Sequence, residues 1–230
     1  PALFQADVMG TAALQESLLR VCEQVDEGGC GMDLLHRRPP RFTTGTPSVG
    51  HEPGHALDPL PGESLVDRAR RLALHLDRTT LAVQGPPGSG KTYLGAQMIR
   101  ALVGAGKRVG VVAPSHKVIV NLLDAVAVQA REAGETIRLS RKIGSDDEPA
   151  DPSAGAVREF TGNPEALAAI TGREVDVLGG TAWLWARPEF SDSVDVLVVD
   201  EAGQFSLANA LAVSPAAASL VLLGDPQQLQ

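Results

Sequence analysis

Nine residues, QGPPGSGKT at positions 84–92, constrain this chain more than any other feature. They match G-x-x-x-x-G-K-[ST], with Gly85, Gly90, Lys91 and Thr92 in the fixed positions and Pro86, Pro87, Gly88 and Ser89 between them. Glycines let consecutive backbone N–H groups turn inward as an anion nest, and a following helix adds its positive N-terminal end. Lys91 then reaches the β- and γ-phosphates, and the Thr92 hydroxyl can bind Mg²⁺. Such a loop needs a strand before it and a helix after it. LAVQ (81–84) reads as the strand and residues 92–103 as the helix. The stretch is a nucleotide-phosphate site.

The rest of the chain repeats that alternation. RVGVVAP (108–114), TIRLS (136–140), VDVLGG (175–180), VDVLVVD (194–200) and SLVLLGD (219–225) read as strands. Helices are expected through VIVNLLDAVAVQA, PEALAAI and LANALAV. Strands that are apolar on both faces and alternate with helices predict a mostly parallel α/β sheet covered on two sides. Ahead of it, residues 11–26 carry apolar residues at helical spacing, and residues 37–63 are dense in Pro, Gly, Ser and Thr. Ser64 followed by Asp67 predicts a capped helix running to about His75. The expected division is residues 1–60 as a helix and linker, and 61–230 as the nucleotide-binding domain.

Bulk properties narrow the class. Apolar residues make up 43% of the chain and aromatics only 3%, so the core must be built from Val, Leu and Ala. A net charge of −8 argues against nucleic-acid binding by bulk electrostatics but leaves room for a local basic groove. No apolar run reaches bilayer length, and Cys22 and Cys30 have neither zinc nor disulfide-framework spacing. A reduced cytoplasmic setting, with no membrane, is the simplest expectation.

A phosphate loop alone does not name a reaction. VDVLVVDEAGQ adds a buried strand ending in Asp200-Glu201, at the strand end where ligands bind in parallel sheets. Asp200 is expected to hold Mg²⁺ and Glu201 to orient or deprotonate an attacking water. That favours hydrolysis. No acceptor-binding feature supports a kinase, and no Asn-Lys-x-Asp element supports a GTPase.

QGPPGSGKT, VVAPSHKVIVNLL, DEAGQ and GDPQQL occur in the order and approximate spacing of superfamily 1 helicases, and this chain resembles their upframeshift-type and Dna-two-like branch over residues 60–230. The resemblance implies a first RecA-like P-loop NTPase domain that uses ATP and Mg²⁺ and moves along single-stranded DNA or RNA. It implies that Gln204 links nucleotide state to the domain interface and that Gln228 senses the γ-phosphate. The strand ending at Asp225 is then expected between those bearing the phosphate loop and Asp200. It further implies nucleic-acid contacts from Ser115 and Lys117 in APSHK and from Thr181 in GGTAW. Without the family, Ser115 and Thr181 read equally well as helix caps. Trp183 and Trp185 read first as packing residues and second as base-stacking ones.

There are departures from the family pattern. Relatives carry an adenine-reading glutamine about 17 residues before the loop, where this chain has Arg68; stacking by Arg68 or Arg71 is the substitute to consider. The chain stops after the third motif group, so a second RecA-like domain and its arginine fingers are expected as partners outside it. Hydrolysis by these residues alone is expected to be slow, on the order of 10³-fold below a completed site. Some bacterial relatives also carry a RecB-like nuclease domain upstream. A second reading, a nucleotide-gated binding module without translocation, fits the net charge and the missing glutamine. HEPGH (51–55) has metalloprotease spacing, but Pro53 and Gly54 oppose the helix it needs, and GSDDEPAD lacks calcium-loop spacing.

Overall fold

Seven strands pair in the order β1-β7-β6-β2-β5-β3-β4, and every pair is parallel. They are β1 (Thr80–Gln84), β2 (Val109–Val112), β3 (Leu139–Lys142), β4 (Val157–Phe160), β5 (Val177–Gly179), β6 (Val194–Val199) and β7 (Ala217–Gly224). The structure is a computed structural model that describes residues 10–23, 28–45, 55–144 and 157–225. Eight helices accompany the strands among those residues: α1 (Ala12–Glu23), α2 (Cys30–Leu35), α3 (Leu65–Leu74), α4 (Lys91–Gly104), α5 (His116–Glu132), α6 (Asn163–Thr171), α7 (Ala182–Trp185) and α8 (Leu207–Val213). This is the α/β P-loop NTPase architecture that the sequence predicts.

Alternation along each strand divides the core into two layers. In β6, Val196 and Val198 join Leu94, Ile99, Ile119 and Leu122 of α4 and α5. Leu197 and Val199 face the other way, into a layer with Trp185, Phe190, Ala212 and Val213. Both faces of the central strands are therefore dry, as buried parallel strands require. The scarcity of aromatics is compensated at one point. Trp185 is 1% exposed, stacks edge-on against Phe190, and donates its indole N–H to the Val111 carbonyl at 3.1 Å.

Ser64 caps α3 as expected: its Oγ accepts from the Asp67 N–H at 3.1 Å and donates to the Asp67 carboxylate at 2.6 Å. Three elements depart from expectation. β3 begins at Leu139 rather than Thr136, because Arg138 is tied by backbone and side chain to the Asp176 carboxylate. β4 is a strand that the alternating charges of VREF disguise; Glu159 pairs with Arg141 on the neighbouring β3. α2 forms although it is only six residues long and contains Gly31, because its first residue is docked through both thiol and carbonyl. Its Cys30 thiol donates to the Ser214 and Ala217 carbonyls, and its Cys30 carbonyl accepts from the Thr80 hydroxyl at 2.8 Å.

α1 is attached just as firmly. Leu14 is 7% exposed within the core, and the buried Ser17 hydroxyl donates to the Ala212 carbonyl at 2.6 Å. Arg20 donates to the Ala186 carbonyl at 2.7 Å, and the Trp183 indole donates to the Gly10 carbonyl at 3.0 Å. Leu14→Ala is accordingly expected to lower unfolding stability by about 2–3 kcal/mol, from lost transfer energy plus a cavity. Urea denaturation measures it, and an unchanged midpoint would mean that α1 does not share the core.

Candidate functional site

The phosphate loop grows directly out of β1. Gly85 N–H donates to the Gly224 carbonyl at 3.2 Å, carrying the β1–β7 ladder one residue past the strand. The Ser89 N–H then turns back to the Pro86 carbonyl at 3.2 Å. Gly88 and Gly90 sit at φ of 75° and 84°, the left-handed region that disfavours a side chain. A Cβ on Gly85 would lie 2.4 Å from Ser89 Oγ, so this glycine keeps the cradle open. Gly90 caps α4 without a side-chain hydrogen bond, leaving the first N–H groups of a 14-residue helix free of side-chain capping. Lys91 Nζ donates to the carbonyls of Gly85 (2.7 Å) and Pro86 (3.0 Å), so its ammonium already lies over the loop. Thr92 follows in the first turn, half-buried.

β7 lies between β1 and β6, as the family resemblance implies, so the loop and the acid pair emerge two strands apart on one edge. Asp200 is 4% exposed, and its backbone N–H donates to the Val112 carbonyl at 2.9 Å. Burial pushes its carboxyl up to about 6, and the neighbouring Glu201 charge pushes the same way. The Glu201 N–H, donating to Asp200 Oδ1 at 2.9 Å, and the Lys91 ammonium pull it down. The phosphate loop and the acid pair thus stand at the same edge of the sheet, with Lys91 near enough to act on the Asp200 charge. Thr92 and Asp200 offer hydroxyl and carboxylate oxygens, the hard donors that Mg²⁺ selects, and the buried carboxylate carries a charge that a divalent cation would stabilise.

Glu201 stands at φ 51°, left-handed backbone for a residue with a side chain, and starts a single 3-10 turn over Ala202–Gln204. The turn brings Gln204 back onto it. The Gln204 N–H donates to the Glu201 carbonyl at 2.8 Å, and Gln204 Nε2 reaches Glu201 Oε2 at 3.5 Å. Gly203 is a participant that sequence reasoning missed, although DEAGQ displays it. A Cβ there would sit 2.4 Å from the Asp225 carbonyl oxygen, so this turn packs backbone against backbone on the end of β7. Asp225 is buried. Gln228 lies outside the described residues.

Ser115, Lys117 and Thr181 come from the next strands along the same edge. Ser115 caps α5, with its Oγ accepting from the Val118 N–H at 3.4 Å, and both it and Lys117 are exposed. The capping reading is thus realised for Ser115. Thr181 precedes α7 in extended backbone, half-buried and without a side-chain cap bond, and the adjacent Gly180 N–H donates to the Val111 carbonyl at 2.9 Å. Trp185 is wholly internal and Trp183 is half-buried with its N–H engaged, so both are packing residues.

Arg71 corrects an expectation. Its guanidinium is buried and clamps both Glu63 oxygens (2.6 and 2.8 Å) together with the carbonyls of Ala56 and Asp58. That fork holds the approach to α3 and is not available to stack on a base. The Arg71 hydrogen bonds hold the Glu63 carboxyl at about 2. Of HEPGH, residues 51–54 lie outside the described residues, as does most of GSDDEPAD. Among the described residues no helix is long and apolar enough to cross a membrane.

The family described as "AAA domain" matches residues 67–230. The DNA replication ATP-dependent helicase/nuclease DNA2 of Saccharomyces cerevisiae (strain ATCC 204508 / S288c) is 26% identical over 150 residues, 64% of this chain. The matched part spans about a tenth of that relative's length, 10%. Among solved structures, the arterivirus nonstructural protein 10 helicase in complex with DNA matches 65% of this chain and 30% of its own, at 19% identity and a TM-score of 0.42. The UvsW helicase of bacteriophage T4 matches 69% and 51%, at 12% identity and a TM-score of 0.44.

Asp200 gives the site a pH signature. Its folded carboxyl, at about 6, lies above the ordinary 3.8. Folding therefore disfavours the ionised form, and this loss is absent below about pH 4 and complete above about pH 6. Asp200→Asn should stabilise the chain at pH 7.5 by on the order of 2–3 kcal/mol, with the gain fading as pH falls toward 4. Thermal melts with chelator and no nucleotide measure this. A variant no more stable than the parent at pH 7.5 would contradict the burial argument.

Proposed function

Because the chain belongs to the AAA domain family, which covers residues 67–230, we propose that it is the ATP-binding and ATP-hydrolysing motor domain of a DNA or RNA helicase acting on single-stranded nucleic acid. The observation that carries this reading is the convergence of the phosphate loop and the Asp200-Glu201 turn on one sheet edge, beside the strand ends bearing Ser115, Lys117 and Thr181. The backbone N–H groups of residues 85–92 and the Lys91 ammonium hold the β- and γ-phosphates, with Lys91 exchanging its two carbonyl partners for phosphate oxygens. Thr92 and Asp200 would hold Mg²⁺, which when bound would neutralise phosphate charge. Glu201 orients or deprotonates the attacking water. Gln204, hydrogen-bonded to Glu201, relates the state of that acid to the exposed turn, and Gln228 senses the γ-phosphate.

Ser115, Lys117 and Thr181 contact the nucleic-acid backbone, the positioning contacts that do not read sequence. A second RecA-like domain that supplies an arginine finger is the proposed partner, and a cytoplasmic setting is proposed with it. Two substitutions test the nucleotide chemistry separately. Lys91→Ala should abolish ATP binding in calorimetry. Glu201→Gln should bind ATP normally and hydrolyse it about 10²- to 10⁴-fold more slowly. Unchanged affinity in the first variant sinks the phosphate-loop assignment, and unchanged turnover in the second sinks the role of Glu201. Hydrolysis without any salt-dependent oligonucleotide binding would instead favour an ATP-gated binding module.

A further inference from the structure

The sheet carries one more cation to the edge where Ser115, Lys117 and Thr181 stand. β2, β5 and β3 are consecutive neighbours. Val111 on β2 and Arg141 on β3 are both registered with Gly179 on β5. One residue further along each strand, Val112, Gly180 and Lys142 therefore lie level, on the opposite face from Arg141. Past that level the first two strands lead to Ser115 and Thr181. The third ends at Lys142.

Lys142 is half-buried, and its ammonium donates to the carbonyl of Ile143 at 2.6 Å. Among the described residues no carboxylate pairs with it, whereas Arg71, Arg100, Arg108, Arg138, Arg141 and Arg158 each face one. A neutral carbonyl orients an ammonium but does not neutralise it. The chain has four lysines (Lys91, Lys107, Lys117 and Lys142) against sixteen arginines, and three of the four are at the carboxyl edge of the sheet. Lys91 belongs to the phosphate loop and Lys117 to the nucleic-acid motif. Lys142 has only the Ile143 carbonyl as a partner among the described residues, in a chain whose net charge is −8.

We infer that Lys142 contacts a phosphate of single-stranded nucleic acid, extending the track of Ser115, Lys117 and Thr181 by one strand, away from Asp200. The inference rests on the nucleic-acid reading given above. At about 4.8 Å between strands, β3 lies on the order of 10 Å from β2, close enough for one backbone to touch both. The contact is sequence-independent, as a lysine point charge on phosphate must be.

Fluorescence anisotropy of a labelled poly-dT or poly-U oligonucleotide on the 230-residue chain, from about 50 to about 200 mM salt, tests it. Lys142→Ala should weaken binding several-fold and reduce the slope of log affinity against log salt by about 0.7, the loss of one single-strand phosphate contact. Lys142→Arg should restore both, and melting temperatures establish that the variants fold. An unchanged slope in Lys142→Ala, with or without an affinity change, overturns the contact. Absence of binding by the parent chain, at low salt and with ATP analogue present, overturns the nucleic-acid reading itself and the contact with it.

Discussion

Parallel pairing is the constraint on which everything else here depends. Because all six strand pairs run the same way, every strand delivers its C-terminal residue to one edge. Residues separated by more than a hundred positions then become neighbours without any dedicated contact between them. The phosphate loop follows β1, Asp200 follows β6, Thr181 follows β5 and Ser115 follows β2. The insertion of β7 between β1 and β6 sets the gap between loop and acids, and the backbone contact of Gly203 on Asp225 fixes it at its floor. Two dry layers, one under α4 and α5 and one under α7 and α8, cover both faces of the sheet behind that edge.

The polar groups of the site satisfy one another only in part. The Lys91 ammonium rests on loop carbonyls, Gln204 rests on Glu201, and Asp200 accepts a single N–H from its own neighbour. Each of these bonds is local and replaceable. An incoming phosphate or cation can take over the same atoms without moving the strands that bear them. The raised carboxyl of Asp200 expresses the same condition as an energy: the protein holds an ionisable oxygen in a place that suits a counter-charge better than it suits isolation.

Much of this was legible in the sequence, and the reasons for the exceptions are physical. Strands such as VDVLVV announce themselves because both faces are apolar, and the phosphate loop because its backbone demands glycine at fixed positions. VREF did not, since each of its charges finds a partner elsewhere in the fold: Glu159 with Arg141 on β3, and Arg158 with Glu174 and the Phe160 ring. CGMDLL did not, since α2 owes its helix to partners almost two hundred residues away. Arg71 looked available for a base because the sequence does not reveal which acid will fold onto it, and Glu63 did so. Gly203 was hidden by its smallness. Its role is the absence of a side chain at a place where only a backbone fits.

The four-residue helix α7 is too short to secure its own orientation by internal hydrogen bonds. It is fastened to β2 through Gly180 and Trp185 on the Val111 carbonyl, and to the N-terminal segment through the Trp183 indole on Gly10 and the Ala186 carbonyl under Arg20. Besides its bonds to Val111 inside the family span, α7 thus leans on residues that lie outside that span, which begins at residue 67. The structural unit and the homologous unit do not coincide. A boundary drawn by kinship alone would keep the phosphate loop and the acid pair and discard part of the packing around α7.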